Sequence, residues 1–305
     1  MPTRLGAPLR CYAHDGFAYP LPDGHRFPLG KYALLRAQAD ADASFEVHGA
    51  RAATHEELLL AHTADWAGRA ERGDLTREEL RDLGLPWSPA LFERGRRSVG
   101  ATLQAADAAL ADGAGANLGG GTHHAFPGAG RGFCVFNDVV VATRSLRQRG
   151  LLRRVLVIDL DVHQGDGTNA ALAGDDEAFT CALNGLGNYP FDRVPGDLER
   201  DLPGGTGDDA YLDALAELLP EALARARPEL CFYLAGADPF AGDRLGRLAL
   251  TRAGLADRDR LVRTALLRAG VPVCVTLAGG YAERIQDTVA INLATLRTFA
   301  AQTGV

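Results

Sequence analysis

Residues 155–168 constrain the fold more than any other stretch of the chain. They begin with an apolar, β-branched run, Val-Leu-Val-Ile, which is typical of a strand buried on both faces of a parallel sheet. The run then becomes polar at alternate positions, Asp159, Asp161 and His163. Because a strand directs residues i, i+2 and i+4 to one face, three ionisable groups should converge where the strand ends.

A core strand has no packing reason to end in two carboxylates and an imidazole, because each buried charge needs a partner. A bound cation is the simplest partner. An ordinary strand that leads into a hydrated loop is the alternative, and the spacing of these three residues by itself leaves both interpretations open.

Composition is that of a globular protein with a large core. The chain has 305 residues, a length that large α/β folds reach as one domain, so we expect a single domain over residues 1–305. A net charge of −7 without a basic block argues against a dedicated nucleic-acid or membrane-surface binder. Arginine carries nearly all the positive charge, and Lys31 is the only lysine. We interpret this as compositional bias with little bearing on mechanism.

The cysteines indicate a reducing compartment. There are five, an odd number, and none forms a C-x-x-C pair; they are Cys11, Cys134, Cys181, Cys231 and Cys274. No apolar run approaches the roughly 18 residues of a membrane span. The first residues, Met1–Gly6, lack the apolar core of a signal peptide. We therefore expect a soluble, cytoplasmic protein.

Short apolar strands alternate with helical stretches along the chain. Besides the strand at Val155, strands are predicted over Ala178–Leu183, Glu229–Leu234 and Val271–Leu277, with a short strand around His48 and a long loop over Asn184–Gly207. Helices are predicted from near Leu29 and over Thr76–Leu83, Pro89–Asp112, Phe136–Arg149, Gly167–Ala173, Tyr211–Arg227, Leu255–Arg268 and Arg284–Gln302. This order predicts a doubly wound, mostly parallel sheet in a three-layer α/β/α domain.

In such sheets, ligands lie beyond the carboxyl ends of the strands. Three strands lead into unusual chemistry there: Asp159–His163, then Asp238, then Gly-Gly-Tyr281. A glycine-rich loop over residues 117–138 carries the tandem His123–His124 and lacks the lysine of a phosphate-binding Walker loop. The coincidence at one sheet edge favours an active site. His25 and Arg26 are better explained by surface or packing roles, and His48, His55 and His62 by structural ones.

Asp161, His163 and Asp238 would supply two oxygens and one nitrogen and leave an open position, the format of a catalytic zinc. The spacing does not identify the metal, and Fe(II), Co(II) and Mn(II) remain possible for these ligand types.

Several motifs, in order and at matching spacing, resemble the zinc-dependent histone deacetylase family. They are Gly-Gly-Gly-Thr-His-His-Ala, Gly-Phe-Cys-Val-Phe-Asn-Asp, Asp-Leu-Asp-Val-His-Gln-Gly-Asp-Gly-Thr, Gly-Ala-Asp-Pro-Phe-Ala-Gly-Asp-Arg-Leu-Gly and Gly-Gly-Tyr. The resemblance runs from about Pro20 to beyond Tyr281. Gly-Gly-Thr-His-His and Asn-Tyr-Pro-Phe are most similar to the bacterial and class IV branch.

The resemblance implies the arginase-deacetylase fold and a hydrolase of linear amides that acts on N-acyl-lysine, most simply N-acetyl-lysine, or a similar amine. One zinc ion would be held by Asp161, His163 and Asp238 and would polarise the acyl carbonyl and the attacking water. A potassium ion would lie beside Asp159, held by backbone carbonyls.

The resemblance also assigns roles to the other polar residues. His124 matches the general base that later protonates the leaving amine, and His123 matches its electrostatic partner. Asp159 would pair with His123 and Asp166 with His124. Tyr281 would hydrogen-bond the developing oxyanion, a contact worth about 3–4 kcal/mol in other oxyanion holes.

Substrate contacts follow in the same way. The Gly132 carbonyl would accept the substrate amide N–H, and Phe133 and Tyr189 would wall a tunnel for an alkyl chain. The chain departs from the family pattern at four places outside the catalytic positions, Ala182, Asn184, Pro239 and Phe240. Ala182 and Asn184 replace an expected serine and histidine, which weakens the case for the potassium site.

Two rivals and a substrate question remain. A binuclear manganese ureohydrolase needs an Asp-x-Asp-x-x-Asp-Pro stretch. If Asp238-Pro239 is its end, Tyr233 and Ala235 stand where the first two aspartates should be. If Asp238 is its start, Phe240 replaces the second aspartate, although Asp243 fits the third. A non-catalytic binding module would not need the intact catalytic set. The substrate is an acyl-lysine protein or a small acylated amine such as an acetylpolyamine, and the acyl group could also be lactoyl or longer. An acidic chain could attract cationic amines. No nucleic acid or membrane partner is expected.

Overall fold

A parallel sheet runs through the centre of the fold. The computed structural model describes residues 7–16 and 19–300, so the expectations for Met1–Gly6 and for a helix end at Gln302 lie outside the described residues. The strands in this part of the chain are β1 (Leu9–Ala13), β2 (Phe45–Gly49), β3 (Ala114–Asn117), β4 (Val155–Asp159), β5 (Ala178–Gly185), β6 (Leu198–Leu202), β7 (Leu230–Leu234) and β8 (Val273–Thr276). They lie in the spatial order β2-β1-β3-β8-β7-β4-β5-β6.

Helices cover both faces of this sheet. They are α1 (Lys31–Asp40), α2 (His55–Leu58), α3 (Ala64–Arg72), α4 (Arg77–Leu83), α5 (Pro89–Asp112), α6 (Asp138–Gln148), α7 (Asp166–Leu172), α8 (Asp208–Ala226), α9 (Arg252–Ala269) and α10 (Ile285–Ala300). Helices α1, α8, α9 and α10 share one hydrophobic core with the sheet, and α3, α5 and α6 share the other. Among the residues described, no helix is both long and apolar enough to span a bilayer.

Strand β4 explains the three layers. Leu156 and Ile158 belong to one core, whereas Val155 and Val157 belong to the other. A strand alternates its side chains, so a continuous apolar run is what a sheet with helices on both faces requires. The predicted three-layer α/β/α arrangement is confirmed, and every strand pairing in the described sheet is parallel.

Three strands were not predicted. Strand β6 lies within the predicted Asn184–Gly207 loop and pairs with β5 at the edge of the sheet. Its sequence, Leu-Glu-Arg-Asp-Leu, lacks an apolar run because an edge strand faces solvent. Strands β1 and β3 were also missed, and β3 consists of small residues because α5 lies close to it. A Cβ at Gly115 would be 2.2 Å from the carbonyl oxygen of Ala105.

All five cysteines are buried and free. The structural role expected for His62 is confirmed. Its Nδ1 lies 3.1 Å from the Phe126 carbonyl oxygen, and its Nε2 accepts the Asn137 N–H at 2.9 Å. Asn137 in turn caps α6. Burial lowers the pKa of His62 to about 4.

The pKa of His62 predicts a pH-dependent loss of stability. Between about pH 6.5, where the unfolded residue titrates, and about pH 4, only the unfolded state gains this proton, so stability should fall as pH falls. The slope is about 1.4 kcal/mol per pH unit, for a total of about 3 kcal/mol. We expect the free energy of unfolding, measured with urea across this pH range, to depend less steeply on pH in His62→Gln, by the contribution of one proton. His48→Gln, at a half-buried position of β2, is the matched control. An identical slope in wild type and His62→Gln would contradict the assignment.

Candidate active site and metal centre

The carboxyl ends of β4, β7 and β8 meet at one edge of the sheet. In the parallel ladders Asp159 lies beside Leu234, and Leu234 lies beside Thr276. The segments that follow these strands carry Asp161 and His163, Asp238, and Gly279–Tyr281. The convergence expected from the sequence is therefore present.

Asp161, His163 and Asp238 form a buried group suited to a metal ion. Their candidate ligand atoms all lie within 4.8 Å of one another, and no other group of this kind occurs within residues 7–16 and 19–300. The His163 Nδ1 is 2.9 Å from Asp161 Oδ1 and 3.3 Å from Asp238 Oδ2. Two oxygens and one nitrogen thus face a common point.

The hydrogen bonds of this group leave one oxygen free. Asp161 Oδ2 accepts the Gly279 N–H at 2.7 Å, and Asp238 Oδ1 accepts the Val162 N–H at 3.0 Å. Asp238 Oδ2 is buried and accepts no well-directed hydrogen bond. Burial and the neighbouring Asp161 raise the pKa of Asp238, because a second buried negative charge is unfavourable there. The donor set and its charge therefore fit zinc or a similar divalent cation.

Gly279 keeps this space open. A Cβ at residue 279 would lie 2.0 Å from Asp238 Oδ2 and 2.6 Å from Asp161 Oδ2. Any larger residue would push the two carboxylates away from their common point.

The tandem histidines lie next to this group, each with its own carboxylate. His123 Nδ1 is 2.6 Å from Asp159 Oδ2, and His124 Nδ1 is 2.6 Å from Asp166 Oδ1. The two ring centroids are 4.1 Å apart. The loop therefore brings the side chains of two consecutive residues to one site.

The surroundings drive the pKa values of the two histidines apart. Burial opposes a charge on His123, but Asp159 and Asp161 outweigh it and raise its pKa to about 9. Burial and the neighbouring His123 lower the pKa of His124 to about 4, despite its bond to Asp166. Near neutral pH one ring is cationic and the other is neutral, the division expected of an acid–base pair.

Asp138 fixes the histidine loop, a role that the sequence analysis missed. Its Oδ2 accepts bonds from the Thr102 hydroxyl at 2.6 Å and the Gly121 N–H at 2.9 Å. Its Oδ1 accepts both the N–H and the hydroxyl of Thr122, at 2.8 and 2.7 Å. Asp138 is fully buried at the start of α6, and an aspartate directly after a helix-capping asparagine, ahead of an apolar run, was the available signal.

The expected tunnel residues lie together along a cleft of about 530 Å³ that leads to His124, His163 and Tyr281. Gly132 adopts a φ of +51°, and a Cβ there would lie 2.6 Å from the His124 ring, so glycine allows this close approach. Its carbonyl oxygen lies 3.5 Å from the Cys134 Sγ.

Two rings form part of the cleft wall. The Tyr189 ring packs edge-on to His124 at 4.9 Å, and the Phe133 ring lies 5.9 Å from that of Tyr281. Burial raises the pKa of Tyr281 well above its usual value, as do Asp161 and Asp238. Tyr281 therefore carries its phenolic proton and can donate it in a hydrogen bond.

A smaller cavity continues inward from these residues, and its lining combines the polar His14, Tyr32 and Arg94 with apolar residues such as Leu91 and Phe136. The Arg94 guanidinium lies 4.1 Å above the Tyr32 ring, and no carboxylate in the described part of the chain is within ion-pair distance of it. Both ring nitrogens of His14 are buried without a hydrogen-bond partner in that same part.

Lys31 supports the turn that carries Tyr281. Its buried ammonium lies 3.4 Å from the Ala278 carbonyl oxygen, 3.3 Å from that of Gly280, and 5.5 Å from the centroid of the Tyr281 ring. The sequence analysis missed this role of Lys31. A single lysine in an arginine-rich chain was the available signal.

Two departures from the family pattern also have a structural setting. Ala182 lies beside Asp159 in the β4–β5 ladder and offers no hydroxyl there. The Asn184 side chain is buried, and neither its nitrogen nor its oxygen has a hydrogen-bond partner within the described residues.

Asp243 is occupied by backbone donors. It accepts N–H groups from Leu245 at 2.8 Å, Gly246 at 2.9 Å and Tyr281 at 2.5 Å. It therefore orders the loops beside the site and is not directed at a second metal ion.

Comparison with known proteins agrees with this geometry. The family model for the histone deacetylase domain matches residues 25–296, and the chain belongs to the histone deacetylase family. An uncharacterised protein of Picosynechococcus sp. is 43% identical over 279 residues, which cover 90% of this chain and 93% of that protein.

A protein named histone deacetylase-like amidohydrolase from Pseudomonas aeruginosa is 33% identical, over 79% of this chain and 67% of its own length. The crystal structure of a histone deacetylase homologue from Aquifex aeolicus superposes with a TM-score of 0.78 at 27% identity, covering 97% of this chain and 82% of that one. The fold is the arginase-deacetylase fold, and the protein is a histone deacetylase-like hydrolase.

Replacing Lys31 by methionine should loosen the Tyr281 turn, because two buried carbonyl groups lose a charged donor worth about 1.5–3 kcal/mol each. We expect hydrolytic turnover to fall by about tenfold or more. Lys31→Arg, which keeps the charge and the donors, should recover part of that loss. Steady-state kinetics on both variants test this, and full activity in Lys31→Met would contradict it.

Proposed function

We propose that this protein is a zinc-dependent amidohydrolase that removes short acyl groups, acetyl first among them, from lysine side chains. The observation that carries the proposal is the Asp161, His163 and Asp238 group, with a buried oxygen on Asp238 that accepts no well-directed hydrogen bond, beside two histidines that each bind their own carboxylate. Among family chemistries, this combination fits hydrolysis of an amide by an activated water molecule.

Zinc, when bound by these three residues, would supply Lewis-acid polarisation of the acyl carbonyl and of the attacking water. The potassium ion implied beside Asp159 would depend on backbone carbonyls alone, because Ala182 brings no hydroxyl to that place.

The proton transfers belong to the histidines. His124 is neutral near pH 7 and would accept the proton of the attacking water at its Nε2, since Nδ1 is engaged by Asp166. It would then return this proton to the leaving amine. His123, held cationic by Asp159, would stabilise the negative charge that develops beside it.

The remaining groups would position the substrate. The Tyr281 hydroxyl would donate a hydrogen bond to the developing oxyanion, and the Gly132 carbonyl would accept the N–H of the scissile amide. Phe133 and Tyr189 would enclose the methylene chain of lysine, whose apolar length suits their rings.

The inner cavity supports a short acyl group over a long one. Its volume is about 80 Å³, and although Leu91 and Phe136 offer apolar contact, an extended alkyl tail would also cover the polar Arg94 guanidinium. A small acyl group leaves that guanidinium room for water. A lactoyl group, with its hydroxyl, is the second acyl candidate for the same reason.

A panel of acyl-lysine peptides and acetylpolyamines tests the proposal. We expect release of acetate from acetyl-lysine peptides, inhibition by a hydroxamate, and loss of activity on removal of metal with a chelator followed by recovery with zinc. Long-chain acyl peptides should be poorer substrates. Absence of turnover on every acyl-amine by zinc-loaded protein would overturn the hydrolase assignment in favour of a binding module.

Tyr281→Phe tests the oxyanion role separately. Loss of the hydroxyl should lower kcat by about 10²- to 10³-fold with little change in KM, because the hydrogen bond forms mainly in the transition state. Zinc content, measured on the same sample, should equal that of the wild type. A kcat within a few-fold of the wild-type value would remove Tyr281 from the mechanism.

A further inference from the structure

The entrance of the cleft has a charge opposite to that of the whole chain. Four arginines contribute to its lining, Arg26, Arg81, Arg244 and Arg247, together with one carboxylate, Asp82. The formal charge of the chain is −7. The positive entrance is therefore a local feature, built from three separate segments: the loop before α1, the last turn of α4 and the loop after β7.

These arginines also differ from most others in their pairing. Most arginines in the described part of the chain lie within ion-pair distance of a carboxylate, such as Arg69 with Glu79 and Arg193 with Asp201. None of the four at the entrance has such a partner within residues 7–16 and 19–300. Arg244 is bonded to backbone, through Nε to the Tyr281 carbonyl at 3.1 Å. Arg26, Arg81 and Arg247 are exposed and available to a ligand.

An apolar platform adjoins the arginines. Phe191 is 81% exposed, and its ring packs edge-on to Tyr189, which lines the path inward to His124. A large exposed aromatic beside a deep cleft is a common feature of surfaces that bind a partner chain. The entrance thus combines an apolar contact with several unpaired cations.

We propose that this entrance selects acyl-lysines that lie in acidic peptide segments, with Asp or Glu on either side of the modified residue. This inference rests on the proposed function and names the substrate class for the same site. The acyl-lysine would enter the cleft, while flanking carboxylates would meet Arg26, Arg81 and Arg247 at its rim. Arginine suits this task because its planar guanidinium binds carboxylates through paired hydrogen bonds.

The same charges disfavour the polyamine alternative. An acetylated polyamine carries one or more ammonium groups beyond its amide, and these would lie at the rim when the acetyl group is at the metal centre. Like charges at the rim raise the energy of that complex and slow its formation. On this proposal the rim repels cationic amines, which is the opposite of what the net charge of the chain predicts.

The test compares three acetyl-lysine peptides that differ only in their flanking residues, which are aspartate, serine or arginine, together with an acetylated spermidine. We expect kcat/KM to fall by about tenfold from the acidic to the neutral peptide and again to the basic one, mainly through KM. Salt at about 0.5 M should reduce the differences in kcat/KM among the peptides, because it screens the charges. Equal kcat/KM for all peptides, or preference for the basic peptide or the polyamine, would overturn the proposal.

Charge-reversal variants locate the effect. Arg81→Glu combined with Arg247→Glu should reverse the order of the acidic and basic peptides. Arg268→Glu is the matched control, because it makes the same charge change on an exposed arginine in the last turn of α9, towards the amino ends of the strands. The control should keep the wild-type order, and an unchanged order in the double variant would overturn the assignment to these arginines.

Binding measured without turnover separates this inference from the proposed function. Fluorescence anisotropy with labelled versions of the three peptides should give the tightest Kd for the acidic one. Tight binding of the acidic peptide without hydrolysis would retain the selective entrance and overturn the hydrolase. Hydrolysis of all peptides with equal binding would retain the hydrolase and overturn the selective entrance.

Discussion

Two buried carboxylates that face one point, Asp161 and Asp238, are the constraint on which the site depends. Each occupies an interior position where an isolated negative charge is strongly unfavourable. Backbone N–H groups satisfy part of their demand, yet one oxygen of Asp238 accepts no well-directed hydrogen bond. A divalent cation would offset the repulsion between the two carboxylates and would bind the remaining oxygen of Asp238. The fold therefore gives a physical reason for a metal ion at this place.

The sheet supplies the geometry for this arrangement. Parallel neighbours β4 and β7 deliver the two aspartates from adjacent strands, and β8 delivers the turn whose Gly279 N–H binds Asp161. A buried arginine supports the same edge of the sheet from helix α9. Arg258 of α9 donates to the Gly236 carbonyl at 2.6 Å and pairs with Asp259.

Asp259 is itself fixed within the core. It accepts hydrogen bonds from the Tyr233 and Thr295 hydroxyls, at 2.6 and 2.5 Å. The ligand-bearing loop is thus tied to β7, α9 and α10, and a buried ion pair of this kind is costly to break.

Much of this could be read from the sequence because the strongest signals were local. The apolar run of β4 with alternating Asp159, Asp161 and His163 predicted both a two-sided parallel sheet and a polar strand end. The site residues then came together because parallel strands end at a common edge. The missed strands had weaker patterns: β6 is a charged edge strand, and β3 consists of small residues whose character reflects contact with α5.

The supporting residues were harder to predict, because their roles depend on contacts between distant segments. Lys31 meets the Ala278–Gly280 turn across almost the whole chain, and Asp138 meets the loop at Gly121 and Thr122 from the start of a helix. The positive entrance was hard to predict for the same reason, because Arg26, Arg81 and Arg247 are far apart in sequence. Net charge sums over the whole chain and does not describe this surface, whose lining has four arginines and one carboxylate.

Zinc titration of metal-free protein tests whether Asp161, His163 and Asp238 hold a metal ion. We predict that the wild type binds about one zinc ion per chain and that its unfolding midpoint rises on binding. Asp238→Asn, which keeps the shape of the side chain but removes its charge, should bind zinc at least about 100-fold more weakly. Zinc bound with the same stoichiometry and affinity by Asp238→Asn, or no zinc bound by the wild type, would contradict the assignment of these residues as metal ligands.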